Sequence, residues 1–277
     1  ANDREAGARA LYRALFFAIA SSLPLILIHA NIAPLMVLLR QPAETIPLAA
    51  SYCAALAPGV LAIMVFSTLA QFLQGLGEMR APMIAILCAN VLNVIFDAAL
   101  ILGWEEMGIP AMGAVGCGMA TSVVQWGMLL FLLVIAWRKL ARYPFPRHGP
   151  SVFQPERLMN MLRVAAPVSF QGALEVWAFS SLGVMMGMLG ERELAAQGVA
   201  INIVSFTFMI PFGFGAAAAT RVGNLVGAGK PWHVTAWLSV AFSAAGMTMM
   251  AVFFSLTGDS IASLFIEDAA VIATVAL

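Results

Sequence analysis

The sequence predicts an all-α protein that crosses a lipid bilayer several times. Hydrophobic residues make up 62% of the 277 residues and charged residues only 10%, and the mean hydropathy is +0.93. Soluble domains carry charges on about a quarter of their residues, so this composition excludes an ordinary soluble protein. The 14 basic residues are balanced by 14 acidic ones, which leaves no excess positive charge for a nucleic-acid backbone. The lipid bilayer is therefore an expected partner, and nucleic acid is not.

Seven continuous apolar runs supply the predicted membrane-spanning helices. A bilayer core about 30 Å thick is crossed by about 20 residues of helix. The runs of this length are 11–30, 46–70, 83–104, 114–137, 164–189, 199–219 and 234–256, and an eighth begins near residue 269 and is cut off at 277. Buried helices of a very large soluble protein are the alternative, but a chain this short cannot enclose so many. We therefore predict seven full spans and the start of an eighth.

The loops between these runs differ in charge, and this difference predicts their orientation. Twelve basic residues share one side: Arg4, Arg9 and Arg13 before the first run, Arg80 after the second, Arg138, Lys139, Arg142, Arg147, Arg157 and Arg163 after the fourth, and Arg221 and Lys230 after the sixth. The opposite loops hold only Arg40 and Arg192. Cytoplasmic loops are rich in Lys and Arg. We therefore expect a multi-pass protein of the cell's inner (plasma) membrane, with loop 138–163 in the cytoplasm.

The segment between the fourth and fifth runs predicts a division into two lobes. Pro144, Pro146, Pro150 and Pro155 interrupt any helix there, because proline lacks the backbone donor that a helix interior needs. We assign residues 1–143 to an amino-terminal lobe, 144–162 to a cytoplasmic linker, and 163–277 to part of a carboxy-terminal lobe.

A weak internal repeat relates the two ends of the chain. An offset of 227 residues pairs Leu11 with Leu238 and Ala14 with Ala241, and in both copies a run begins on the predicted cytoplasmic side. Parallel repeats of this kind occur in secondary transporters. The offset predicts counterpart segments of about 77 residues upstream and about 90 residues downstream, so we expect an interior piece of a longer protein.

Two acidic residues lie within the apolar runs and are the main functional signal. Asp97 lies in the third run and Glu175 in the fifth, near the midplane. A charge at such depth costs about 2.5 to 3.5 kcal/mol on insertion scales and commonly marks an ion path or a proton relay. The alternative is a protonated carboxyl group that hydrogen-bonds a neighbouring helix and serves packing alone.

Amide side chains accompany both acids at helical spacing. Asn93 and Asn90 precede Asp97 by four and seven residues, and Gln171 precedes Glu175 by four, so each set shares one helix face. Grouped oxygen ligands suit a proton or a hard cation such as Na⁺. We predict cation or proton binding at Asp97, Asn93 and Glu175, with Na⁺ as one candidate at Asp97 and Asn93.

Other motifs indicate no catalytic or metal chemistry. Cys53, Cys88 and Cys117 are far apart in apolar runs and are interpreted as small core residues. The turn 223–231 imitates a phosphate-binding loop, but Asn224 stands where the first glycine is needed. The sequence contains no HExxH or GxSxG motif. We therefore expect neither an enzyme nor a resident cofactor.

Five motifs, in order along the chain, resemble the multidrug and toxic compound extrusion (MATE) family. They are Gln74-Gly75-Leu76-Gly77 with Pro82-Met83, Asn93-Val94-Ile95-Phe96-Asp97, Gly113-Ala114-Val115-Gly116-Cys117-Gly118-Met119-Ala120-Thr121, Ala166-Pro167 leading to Leu174-Glu175-Val176-Trp177, and Arg221-Val222-Gly223-Asn224-Leu225-Val226-Gly227-Ala228-Gly229. The resemblance implies a two-lobe bundle of about twelve helices, of which this chain would hold helices three to nine and the start of ten.

The resemblance also implies a function and a set of site residues. Family members export cationic or amphipathic organic compounds in exchange for H⁺ or Na⁺ by alternating access. Matched by position, the cation site of the amino-terminal lobe is Asn93, Asp97 and Thr121, and the acid of the seventh helix is Glu175. Asn90, Gln171 and Trp177 are the expected cavity-lining residues. We expect a monomer.

Two other functions are alternatives to the antiporter, and each requires a sequence feature of its own. A flippase for lipid-linked precursors should have basic residues in its central cavity, and no Lys or Arg lies in the middle of a run. A membrane-embedded enzyme needs a nucleophile with a base, or a metal cluster, and no such pattern occurs. The antiporter is therefore the preferred function.

Overall fold

The computed structural model describes residues 2–39, 43–104, 108–145, 152–189 and 191–262, and helices dominate these ranges. The helices are α1 (Asn2–Ala30), α2 (Ile32–Leu38), α3 (Thr45–Gly75), α4 (Arg80–Ile101), α5 (Gly113–Leu140), α6 (Pro155–Leu189), α7 (Glu191–Gly227) and α8 (His233–Ala262). In the described residues, the only β pairing is an isolated bridge between Trp104 and Ile109. The predicted all-α architecture is confirmed.

The helices follow the predicted apolar runs but differ from them at several ends. The third run was expected to continue to residue 104, whereas α4 ends at Ile101 because the chain turns at Gly103, whose φ is 83°. The turn expected at 223–231 begins only after Gly227, the last residue of α7. The eighth run, 269–277, lies outside the described residues.

Six segments of the described helices are long and apolar enough to cross a membrane, and they correspond to six of the seven predicted runs. They are the segments Arg4–Ala30, Thr45–Gly75, Arg80–Ile101, Gly113–Leu140, Ala200–Gly227 and His233–Thr257. Helix α6 contains the fifth predicted run, and its assignment as a span stays a prediction. The chain is thus a multi-pass membrane protein by the length and composition of its helices.

The chain divides into two compact units, and the amino-terminal unit, Ala1–Leu158, has a dense core. In it α3 packs between α1 and α5, and α5 also packs along α4. Leu73, Leu132, Ala62 and Ala85 are fully buried at these interfaces. Small residues let helix backbones approach closely, as membrane bundles require.

Two glycines of α5 show how close these approaches are. A side chain at Gly116 would collide with the carbonyl oxygen of Leu100 on α4. A Cβ atom at Gly118 would lie 2.7 Å from the carbonyl oxygen of Tyr52 on α3. Helix α5 therefore contacts the backbones of both neighbours near its amino-terminal end, and this contact sets the position of the polar residues that follow.

The residues that join α5 to α6 pack onto the ends of α1 and α3. The ring of Tyr143 meets that of Phe72 with centroids 5.1 Å apart, and the rings of Tyr12 and Phe145 are 5.0 Å apart. The Arg13 side chain donates a hydrogen bond to the carbonyl oxygen of Val152 over 2.8 Å. Lys139 forms an ion pair with Glu78, in the turn after α3. The described residues of the predicted linker up to Leu158 thus belong to the amino-terminal unit.

The carboxy-terminal unit, Met159–Leu277, is more loosely packed in its described residues. Its main helix contact is between α7 and α8, where the rings of Phe214 and Phe242 stack with centroids 5.9 Å apart. Helix α6 meets α7 through Phe179 and Phe208, whose centroids are 6.4 Å apart. The boundary between the units, after residue 158, falls within the predicted linker 144–162, and the assignment of the two lobes stays a prediction.

Candidate cation-binding site

Two polar side chains of α4 in the amino-terminal unit each have one enclosed atom without a hydrogen-bond partner in the described residues. Asn93 and Asp97 are half-buried and one helical turn apart. The Asn93 Nδ2 atom and the Asp97 Oδ1 atom are buried, and neither has a partner in the described structure. Buried polar groups without partners are uncommon because each loses its hydration without compensation. These two atoms therefore mark a place where a ligand, an ion or water could bind.

The antiparallel pairing of α4 and α5 brings further groups to Asp97. The Met112 N–H, just before α5, donates to the carbonyl oxygen of Leu100 over 2.9 Å, which closes the turn between the two helices. The thiol of Cys117 on α5 faces the Asp97 carboxyl group. Tyr52 of α3 is within electrostatic range of both Asp97 and Cys117. Asp97 is thus surrounded by groups from three helices.

Thr121 follows Cys117 by one turn on α5. Its hydroxyl group donates to the Cys117 carbonyl oxygen over 3.0 Å, as a threonine within a helix often does. The proton of the hydroxyl group is used in this bond, so its oxygen can only accept further bonds or ligate a cation. The half-buried Thr121 therefore offers an oxygen ligand.

Gln125 lies one turn beyond Thr121 and was not singled out in the sequence. Its Oε1 atom is the third enclosed side-chain atom without a hydrogen-bond partner in the described residues. A signal for it existed, because Thr121 and Gln125 are polar residues four positions apart in an otherwise apolar run. No sequence pattern indicates that Tyr52 and Cys117 pack beside Asp97, because both positions depend on contacts between helices.

Helix α3 contains Pro58, which cannot donate a hydrogen bond to the preceding turn. The buried hydroxyl group of Ser122 on α5 contacts α3 beside this proline. It donates to the Ala55 carbonyl oxygen over 2.8 Å and accepts from the Gly59 N–H over 3.2 Å. Ser122 therefore takes part in the hydrogen bonding of α3 and ties the two helices together.

A second bond and a close contact strengthen this junction. The Trp126 indole N–H donates to the Pro58 carbonyl oxygen over 3.0 Å. A Cβ atom at Gly59 would lie 2.9 Å from the Cα atom of Ser122 and would collide with the Gln125 Oε1 atom. Glycine at position 59 therefore leaves the space that the Gln125 carboxamide fills.

The remaining predicted site residues do not lie in this enclosed site. The Asn90 side chain is exposed on α4. Gln171, Glu175 and Trp177 are exposed on α6 of the carboxy-terminal unit, with 62% of Trp177 accessible. The structure therefore places Asn93 and Asp97 one turn apart on α4 and Thr121 one turn beyond Cys117 on α5, and the site roles of all seven predicted residues stay predictions.

Comparison with known proteins identifies the family of this chain. The MatE family model matches residues 1–99 and 167–276. The chain belongs to the MatE family. The two matched ranges hold Asp97 and Glu175, respectively, whereas Thr121 and Gln125 lie between the matched ranges. The predicted family is confirmed.

Curated relatives are similar along almost the whole chain. The probable multidrug resistance protein NorM of Pseudomonas putida is 33% identical over 271 residues, which cover 96% of this chain and 58% of that protein. Multidrug and toxin extrusion protein 2 of Mus musculus is 28% identical over 268 residues, which cover 96% of this chain and 45% of that protein. The chain thus spans about half the length of the curated relatives it matches.

Solved structures show the same fold. The crystal structure of the eukaryotic MATE transporter AtDTX14 matches with a TM-score of 0.81 at 20% sequence identity, over 99% of this chain and 61% of that one. A MATE structure in the bent conformation matches with a TM-score of 0.73 at 21% identity, over the same shares of the two chains. The predicted MATE-like helical bundle is confirmed.

Proposed function

We propose that this chain forms part of a secondary active antiporter that exports cationic or amphipathic organic compounds in exchange for H⁺ or Na⁺. The observation that carries the proposal is the enclosed, unpartnered Asp97 Oδ1 atom beside Asn93 on a membrane-spanning helix. The names of the relatives, which are multidrug resistance and toxin extrusion proteins, support export of small organic compounds. The chain would act as a transporter and not as an enzyme.

Asp97 would bind the coupling cation with help from Asn93 and Thr121. A carboxylate away from water is stabilised by a proton or by a cation. The Thr121 hydroxyl group donates its proton to the Cys117 carbonyl oxygen, so the lone pairs of its oxygen atom can ligate the cation. If the exported cation and the coupling ion both favour binding at one carboxylate but cannot occupy it together, each weakens the binding of the other. Such competition is what an antiporter requires.

Glu175 would provide a second ion-responsive group in the carboxy-terminal lobe, with Gln171, Trp177 and Asn90 lining the transport cavity. Residues 1–143 and 163–277 would belong to two lobes that expose this cavity alternately to the two sides of the membrane. A monomer is sufficient for this mechanism. No resident cofactor takes part in it.

Replacement of Asp97 by Asn tests the proposal. In a full-length transporter that carries this chain, reconstituted into lipid vesicles, Asp97→Asn keeps the shape of the side chain but removes its charge. We expect it to abolish substrate transport driven by an imposed H⁺ or Na⁺ gradient. The matched control is Glu44→Gln, which changes an exposed acid outside the spans. Gradient-driven transport at the wild-type rate in Asp97→Asn would overturn the proposed role.

The proposed orientation places loop 138–163 in the cytoplasm, on the distribution of Lys and Arg. In a variant without its native cysteines, His148→Cys should react with a membrane-impermeant thiol reagent only after intact cells are opened. Removal of the native cysteines matters because Cys88 is exposed. Rapid labelling of intact cells would reverse the orientation.

A further inference from the structure

We propose that Gln125 is a further ligand of the cation site and that it helps to hold a hydrated monovalent cation beside Asp97. The inference rests on the proposed function, which assigns the coupling cation to Asp97. Its starting point is the buried Gln125 Oε1 atom, which has no hydrogen-bond partner among the described residues. Neither the five sequence motifs nor the matched ranges of the family model include Gln125.

The helix register places Gln125 two turns beyond Cys117 on α5, and one turn beyond Thr121. Cys117 faces Asp97, so one turn further along α5 brings Thr121 toward the level of Asn93, because the two helices are antiparallel. Gln125 follows after one more turn of about 5.4 Å. Side chains of a helix lean toward its amino-terminal end. The Gln125 side chain therefore leans toward Thr121, while Asp97 leans toward Asn93, so both lean toward the same level of the helix pair.

The chemistry of the unpartnered atoms indicates a hydrated cation. Asp97 Oδ1 and Gln125 Oε1 can only accept a hydrogen bond or ligate a cation, whereas Asn93 Nδ2 can only donate. A bare cation would satisfy the two oxygen atoms but not the amide nitrogen. Na⁺ with one bound water molecule satisfies all three, because the ion ligates the two oxygen atoms and the water oxygen can accept from Asn93.

The packing of α3 holds the Gln125 carboxamide at this position. Gly59 leaves space for the Oε1 atom beside α3, since a Cβ atom there would collide with it. The neighbouring Ser122 fixes α5 against Ala55 by a 2.8 Å hydrogen bond. The carboxamide is thus held against one wall while its oxygen atom stays free of protein partners.

The test measures transport as a function of the coupling cation in vesicles that contain the full-length transporter. Na⁺ concentration is varied at constant pH, and pH is varied at constant Na⁺ concentration. We expect Gln125→Leu, which removes the oxygen ligand, to raise the half-saturating cation concentration about tenfold, as the loss of a hydrogen bond to a charged group would. Gln125→Asn, with a shorter amide, should fall between Gln125→Leu and the wild type.

A glycine pair supplies an independent arm of the test. Gly59→Ala should displace the Gln125 carboxamide and raise the half-saturating concentration in the same direction. Gly127→Ala on α5 meets no atom within 4 Å and should leave the ion dependence unchanged. If Gly59→Ala does not yield folded protein, the Gln125 variants decide the question, since they do not introduce a collision.

The possible results separate this inference from the proposed function. A shift along the Na⁺ axis would support it and identify hydrated Na⁺, whereas a shift along the pH axis alone would overturn the hydrated cation. If Asp97→Asn abolishes coupling but Gln125→Leu only lowers the yield of folded protein, Gln125 serves packing and the inference fails. If Asp97→Asn itself keeps wild-type coupling, the proposed function fails first, and the ligand role of Gln125 falls with it.

Discussion

The two units differ in how far they enclose the polar residues of their predicted spans. In the amino-terminal unit, Asn93 and Asp97 lie among three packed helices, with atoms enclosed from solvent. In the carboxy-terminal unit, Gln171 and Glu175 are exposed on α6. An enclosed carboxyl group has its environment set by its own unit, whereas the environment of an exposed one is set by whatever lies against it. Similar amide-acid pairs at four-residue spacing thus acquire different surroundings through packing alone.

The largest expected effect tests whether the exposed acid matters for coupling. In the full-length transporter, Glu175→Gln removes an ionisable group with little change of shape, and we expect it to abolish ion-driven transport because the proposed mechanism assigns Glu175 an ion-responsive role. Transport into vesicles under an imposed ion gradient measures this. Wild-type coupling in Glu175→Gln would limit the coupling site to the amino-terminal unit and so sharpen the difference between the units.

The next effect compares the cores of the two units. Leu132→Ala on α5 leaves a cavity at a position with no accessible surface and should lower the free energy of unfolding by about 2 to 5 kcal/mol. Leu238→Ala on α8 changes a side chain that is 52% exposed and should cost much less. Unfolding in mixed detergent micelles measures both. Equal losses would mean that the carboxy-terminal unit is as densely packed as the amino-terminal one.

A glycine pair probes the helix contacts at a smaller scale. Gly116→Ala forces a side chain against the Leu100 carbonyl group, and overpacking of this kind costs about 1 to 3 kcal/mol. Gly215→Ala on α7 meets no atom within 4 Å and should stabilise its helix by about 0.5 to 1 kcal/mol. The midpoints of thermal unfolding should therefore move in opposite directions. A shift in the same direction for both variants would show that α4 and α5 can accommodate a side chain at position 116 without loss of stability.

The smallest effect concerns two serines that differ in their partners. Ser122→Ala removes a hydroxyl group that links α5 to α3 and leaves the Gly59 N–H without its partner, which should cost about 1 to 3 kcal/mol. Ser181 donates only to the Ala178 carbonyl oxygen of its own helix, so Ser181→Ala should be nearly neutral. The difference in free energy of unfolding between the two variants is the quantity to measure. An unchanged free energy of unfolding in Ser122→Ala would mean that the Ser122 hydrogen bonds to α3 do not stabilise the protein.

Sequence patterns predicted the parts of this molecule that depend on local composition. Six of the seven apolar runs correspond to helices long and apolar enough to span a membrane, and Asp97 was visible because a charge in such a run is unusual. The short helix α2 was missed, since its seven residues are too few for a span and show no repeated period. The fifth run corresponds to helix α6, whose role as a span stays a prediction.

The contacts between helices could not be predicted in the same way. Nothing in the local sequence shows that Cys117 faces Asp97, or that Ser122 hydrogen-bonds to α3 beside Pro58. Both contacts follow from the distance and rotation between packed helices. Thr121 was assigned only through family resemblance. Gln125 was detectable as a polar residue at helical spacing, but its unpartnered oxygen atom became evident only with Gly59 and α3 in place.

The attachment of the segment after α5 has a practical consequence for protein engineering. Tyr143 and Phe145 pack against rings of α3 and α1, so a fluorescent protein or an epitope inserted next to them would separate aromatic pairs that join three helices. The turn around Gly229 offers a better insertion point. Its φ is 64°, and no atom lies within 4 Å of a Cβ atom placed there, so added residues at this turn would displace no packed side chain.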